Sequence, residues 1–186
     1  IGIDVKLFFD GVQNDNTTVD VNKFHVDLGG NPIDMTLNIK TPMSDMHING
    51  NLNMNLDLAT LNDVVPLDST TLKGQIKAAL DFMGFMSYIE KEEYEKFKAD
   101  GTLQINDFTY SSPDLPRDLG ISESSFAFSP KYVEVKSFNA IMGKSDFHLS
   151  GRVEDFIPYV FKDETLKGSF IFTSGVLDLN EFMTES

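Results

Sequence analysis

His47-Ile-Asn-Gly-Asn-Leu-Asn-Met-Asn-Leu-Asp-Leu58 alternates almost without interruption. Ile48, Leu52, Met54, Leu56 and Leu58 fall on one phase, and Asn49, Asn51, Asn53, Asn55 and Asp57 on the other. A period of two is the signature of a β-strand with one apolar face. Asn has poor strand propensity, so the pattern itself must specify this strand. At ~3.3 Å per residue, positions 48 to 58 reach roughly 36 Å, which is long for a globular strand. Such a strand belongs to a broad sheet whose polar face is wet.

The residues leading into this strand occur twice. Asp45-Met-His-Ile-Asn-Gly50 is matched by Asp146-Phe-His-Leu-Ser-Gly151, each reading Asp, apolar, His, apolar, small polar, Gly. Thr71-Leu-Lys-Gly74 follows the first copy and Thr165-Leu-Lys-Gly168 the second. Upstream, Val19-Asp-Val-Asn-Lys-Phe24 resembles Val133-Glu-Val-Lys-Ser-Phe138. Downstream, Gly101-Thr-Leu-Gln-Ile-Asn-Asp-Phe108 resembles Gly175-Val-Leu-Asp-Leu-Asn-Glu-Phe182. Four ordered matches predict two degenerate copies of one unit, about 1–110 and about 121–186, within a single β domain of 1–186. Self-similarity of this kind marks folds that grow by adding neighbours.

Alternation predicts further strands at Ile1–Phe9, Val19–Leu28, Ile33–Ile39, Leu72–Leu80, Leu103–Tyr110, Phe126–Phe128, Val133–Val135, Phe147–Leu149, Phe170–Phe172 and Val176–Phe182. Turn clusters separate them, among them Asp10-Gly11, Asn14-Asp-Asn16, Gly29-Gly-Asn-Pro32, Thr41-Pro42 and Ser129-Pro130. One short helix is expected at 87–98, where Ser87 and Glu90 form a capping box and Gly101 follows. It is read as an insertion of about 87–99 in the first unit. The expected fold is all-β and mainly antiparallel: a long, curved, meandering sheet, groove-like or sandwich-like.

With 16 Phe, 8 Met and no Trp, the apolar set is unusual, and much of it lies at alternate positions. The chain has no Cys, which removes disulfides, thiolate metal sites and cysteine nucleophiles. Its net charge of −14 repels phosphate backbones, so no nucleic-acid partner is expected. No apolar run approaches the ~18 residues of a spanning helix, so no transmembrane segment is expected here. The chain opens inside a strand pattern and closes just after a repeat block, which reads as a segment of a longer protein.

No catalytic constellation stands out. His47 and His148 occupy equivalent repeat positions, which suits a role in the fold, and His25 has no ligand-spaced partner. Asn14 to Asp20 starts like a calcium loop but lacks its Gly and its closing Glu. Asn16-Thr17-Thr18 fits a glycosylation sequon. Neither a nucleophile elbow nor a phosphate-binding loop is present. No catalytic residue, metal or cofactor is therefore assigned, and the chain reads as non-enzymatic.

Leu72-Lys-Gly74, Tyr94-Glu-Lys-Phe-Lys-Ala-Asp-Gly-Thr-Leu103, Phe128-Ser-Pro-Lys-Tyr-Val-Glu-Val135 and Ser145-Asp-Phe-His-Leu-Ser-Gly151 together resemble the C-terminal region of AsmA-like proteins. These serve outer-membrane biogenesis in bacteria with two membranes. The resemblance spans roughly residues 45–186. It implies a periplasmic location, an inner-membrane tether outside this chain, and a long sheet curled around an apolar groove. Related TamB-type and bridge-like proteins are thought to pass phospholipid along such grooves, and the family brings no catalytic motif.

Two functions follow as expectations. In the first, the apolar phase shelters or conducts lipid acyl chains, carried by Met35, Leu37, Ile48, Leu52, Met54, Leu56, Leu58, Phe126, Phe128, Phe170 and Phe172. Bulky, adaptable Phe and Met suit that task. Other segments of the same longer chain would be further partners. In the second, the chain is a structural or protein-binding scaffold or adhesin module without lipid.

Overall fold

In the computed structural model the alternation becomes ten strands in one open antiparallel sheet whose spatial order is the chain order. The structure describes residues 1–61, 70–156, 159 and 165–182. The strands are β1 Gly2–Phe8, β2 Thr18–Asp27, β3 Pro32–Lys40, β4 His47–Asp57, β5 Thr71–Phe85, β6 Lys98–Ser111, β7 Leu119–Phe128, β8 Tyr132–Met142, β9 Ser145–Glu154 and β10 Lys167–Thr173. The short helices α1 Leu58–Leu61 and α2 Met86–Glu90 accompany them among the described residues. Among the described residues no second sheet packs on the first, so the open-sheet form of the expectation, not the sandwich, describes them. All extensive strand contact is between hydrogen-bonded neighbours.

Tight turns make the meander possible. Gly29 and Gly30 both take positive φ between β2 and β3, and Gly143 does so between β8 and β9. Beside the first turn, Asn31 is buried. Its amide donates to the Leu28 carbonyl and to Thr60 Oγ1, both 2.6 Å away, and its carbonyl accepts the Asp57 amide. One side chain thus satisfies a turn and the start of α1, which leaves no polar atom of the Asn31 side chain without a partner.

Three expectations need correction. The helix expected over 87–98 stops at Glu90, and Tyr94–Lys96 forms a 3-10 turn. β5 ends and β6 begins as hydrogen-bonded neighbours, with Met83 opposite Lys98. A twelve-residue helix would carry the chain ~18 Å away, so the connection turns back, with Glu92 at φ 60. Ser87 is no cap, because its hydroxyl donates to Asp45 instead. β5 runs on through Phe85 as a fifteen-residue strand, well past Leu80. Finally, Val176–Phe182 is not a strand. It passes into a 3-10 turn at Leu179–Phe182, so the fourth pair of matched blocks folds differently.

Two of the other three pairs share structural features. In β2 the register skips Asn22, and in β8 it skips Lys136, the matching position of the matched block. Such bulges twist and bend a strand. Gly50 lies opposite Phe82, and Gly151 opposite Phe170. A Cβ at Gly50 would lie 2.6 Å from the Phe82 ring and 2.7 Å from the Thr36 carbonyl oxygen. One at Gly151 would meet the Ser169 carbonyl oxygen and the Phe170 ring. In both copies the missing side chain makes room for a cross-strand phenylalanine. Thr71 opens β5, and Thr165 lies just before β10. β3 has no counterpart between β8 and β9.

Candidate functional site

Cross-strand partners share a face of a sheet, so the pairing register traces apolar rows across the molecule. The longest row touches every strand: Ile3, Phe24, Met35, Leu52, Leu80, Gly101, Phe128, Val133, Val153, Gly168. A second runs Val26, Ile33, Met54, Ala78, Leu103, Phe126, Val135, Gly151, Phe170. A third runs Leu56, Ile76, Ile105, Ser124, Phe138, Leu149, Phe172. Ten strands at ~4.8 Å spacing make the first row roughly 43 Å long. No charged residue interrupts any of the three.

Of the residues singled out from sequence, Met35, Leu52, Met54, Leu56, Phe126, Phe128, Phe170 and Phe172 lie on these rows. Leu37 lies on the same face, between Val21 and Gly50. Two depart from the expectation. Leu58 leaves the strand and is buried as the first residue of α1. Ile48 is on the face but sealed, packed with Ile89 and Phe97 in a core cluster of buried residues. Phe97 rests against Gly84, where no side chain stands in its way.

The Met86–Phe97 connection therefore covers one end of the apolar face, against Ile39, Ile48, Phe82 and Ala99. Beyond it, Phe156 packs edge-on against Phe128, with ring centroids 6.1 Å apart. The large side chains of the three rows on β3 to β7, such as Met35, Leu52, Met54, Leu80, Leu103 and Phe126, stay only half-buried. At the β10 end Phe170 is 46% exposed and Phe172 52%. The chain exposes 11481 Å² in all. A compact monomer of its 20.8 kDa would expose about 9,000 Å². Apolar side chains of this face, Ile3, Phe170 and Phe172 among them, contribute to the excess.

The opposite face is polar and hydrogen-bonded. Asn51 donates to Thr36 Oγ1 at 2.8 Å, and Asn38 donates to Asp20. Asn49, Asn53 and Asn55 of β4 are exposed on this face, where their amides meet water.

The repeated Asp has one job in both copies. Asp45 accepts the amide (3.0 Å) and hydroxyl (2.7 Å) of Ser87, where the chain leaves β5. Asp146 accepts the amides of Gly175 and Val176, where the chain leaves β10. Each aspartate sits at the start of one strand and clamps the exit of the next. The Ser87 hydroxyl holds the Asp45 carboxyl below its ordinary pKa, and the Gly175 and Val176 amides do so for Asp146. The same chemistry recurs at Asp10, held down by the Gln13 amide, and at Asp15, held down by Ser44. All four close loops at the ends of the sheet.

The histidines take part in similar local contacts. His148 Nε2 lies 3.0 Å from Asp146, and its Nδ1 lies 2.8 Å from Asn139 Oδ1. His25 Nδ1 lies 2.7 Å from Asp34. The His47 ring packs 4.7 Å from that of Phe85. Asn16, the sequon residue, donates its amide to Asp10 and to Gln13. Among the described residues no group of three or more His, Asp or Glu could hold a metal ion. Nor is any helix among them long and apolar enough to cross a membrane.

Sequence reasoning missed most of the face on β5, β6, β8 and β9, including Leu80, Leu103, Phe138 and Leu149. Their alternation was visible, but only the register says which phase of each strand joins which. No family model, curated protein or solved structure matches the chain.

Proposed function

We propose that this chain is a non-enzymatic module that shelters or conducts lipid acyl chains along its apolar sheet face. The observation that carries the reading is the set of three charge-free rows, one of them unbroken from β1 to β10. Their large side chains on β3 to β7 are only half-buried and those on β1 and β10 exposed, with no second sheet over them among the described residues. Exposed apolar patches beyond a few hundred Å² mark binding surfaces in soluble proteins. A track of roughly 43 Å exceeds the ~15 Å depth of one leaflet's hydrocarbon. The polar face, rich in amides and acids, keeps the other side of the sheet in water. The displaced carboxyls are all engaged as loop clamps, which favours a binding role over acid–base catalysis.

The resemblance to AsmA-like proteins points the same way. On that reading the module works in the periplasm of a bacterium with two membranes and supports outer-membrane assembly. Its inner-membrane tether would lie outside this chain.

Native mass spectrometry after incubation with phosphatidylethanolamine vesicles tests the proposal. The wild-type chain is expected to carry phospholipid, and Leu56→Lys to remain folded by circular dichroism while losing it. A lysine there reaches water past its own stem on an open face. If Leu56→Lys instead unfolds the protein and the wild type carries no lipid, the face is a dry core and the scaffold reading replaces this one.

A further inference from the structure

We infer that the two outer strands are complementary, so that β10 of one copy pairs antiparallel with β1 of the next and copies add head to tail. Among the described residues β1 and β10 each have a single strand neighbour. With ten antiparallel strands they run in opposite directions. A copy displaced along the sheet therefore presents its β1 antiparallel to β10, with both apolar faces on one side. Each outer strand is seven residues long, shorter than every strand between them.

Aligning them end to end puts Ile3 opposite Phe172, Val5 opposite Phe170 and Leu7 opposite Gly168, apolar phase on apolar phase. Aromatic and β-branched residues in direct opposition are favourable cross-strand pairs. On the polar phase Asp4 meets Ile171 and Lys6 meets Ser169, so no like charges oppose each other. Ile3 (61% exposed), Leu7 (67%) and Ile171 (69%) are left in water by the single chain.

Edge strands of monomeric proteins are normally blunted by proline, charge or a covering loop. Neither strand carries proline; β10 has a single charge, Lys167 at its start, and the two charges of β1, Asp4 and Lys6, are of opposite sign. Among the described residues, the segment after β10 and the β1–β2 connection are tied down away from these edges. Asp146 and Ser145 pull the segment after β10 across the start of β9. Asp10 curls the β1–β2 connection on itself, and Asp15 ties it to the β3–β4 turn. A twofold β1–β1 contact would leave β10 unpaired, whereas the head-to-tail contact satisfies both edges. Heterologous contacts of this kind build open rods. The pairing uses backbone edges and not the apolar face, so it stands or falls separately from the lipid reading.

The Cys-free chain makes the test direct. Asp4→Cys and Ile171→Cys face each other in this register, at a separation a disulfide can bridge. Within one copy they lie nine strand spacings apart, about 43 Å, so any cross-link joins two copies. Mild oxidation of the double variant, checked for folding by circular dichroism, is expected to give a ladder of dimers, trimers and longer species. A mixture of the two single variants should stop at cross-linked dimers containing one of each. Dimers of either single variant alone, in equal yield, would overturn the head-to-tail arrangement in favour of a twofold one. Sedimentation of the unmodified chain should show mass rising with concentration, and a monomer at every concentration would overturn the pairing altogether.

Discussion

Protonating Asp146 weakens the acceptor that holds the Gly175 and Val176 amides. Because the folded carboxyl is held below the ordinary value of ~3.9, its contribution is complete above that pH. It is lost as pH falls toward and through the lower folded value. Asp146→Asn keeps the shape but cannot ionise. It is expected to be less stable than wild type near neutral pH and to lose less further stability on acidification to about pH 3, read from urea midpoints. A variant as acid-sensitive as wild type would remove the clamp from the account. The paired glycines give a second test at this scale. Gly50→Ala and Gly151→Ala each force a Cβ onto a cross-strand phenylalanine and a carbonyl oxygen. Each should cost about 1–3 kcal/mol in chemical denaturation, and a neutral result at both would show that the rings have room to move. The sequence exposed these residues as a repeated pattern with a role in the fold. Their partners, Ser87, Gly175, Phe82 and Phe170, became visible only with the register, since each lies 19 or more positions away in the chain.

At the scale of elements, strand positions followed from alternation because a sheet with one wet face stamps a period of two on its sequence. The helix did not follow, because propensity is overridden by where a segment must end. Helix formers from Glu90 to Lys98 yield to a connection that has to return Lys98 to the side of Met83. What the Met86–Phe97 connection offers instead is the only fully sealed apolar cluster among the described residues. Phe97→Ala should therefore cost about 3–5 kcal/mol, the usual range for a buried phenylalanine. Leu103→Ala, on the half-buried face, should cost less than the ~2–5 kcal/mol of a packed core leucine. Equal losses for the two, measured by urea unfolding, would mean that the sheet face is covered as tightly as the cluster.

For the whole molecule, one wide sheet with a polar and an apolar side explains the composition and the large exposed area together. Phe and Met line a surface that the chain's own layers leave half open, while the acids and amides occupy the other side and the loops. The rows exist only in the register of the ten strands, so alternation alone yields fragments of the face and places on it Leu58 and Ile48, which the structure buries. The most direct measurement places a photo-cross-linking amino acid at Met54 or at Asn53, neighbours on opposite faces of β4, in the presence of phosphatidylethanolamine vesicles. The account predicts lipid adducts from position 54 and none from position 53. Equal labelling at the two positions, or none at position 54, would contradict it.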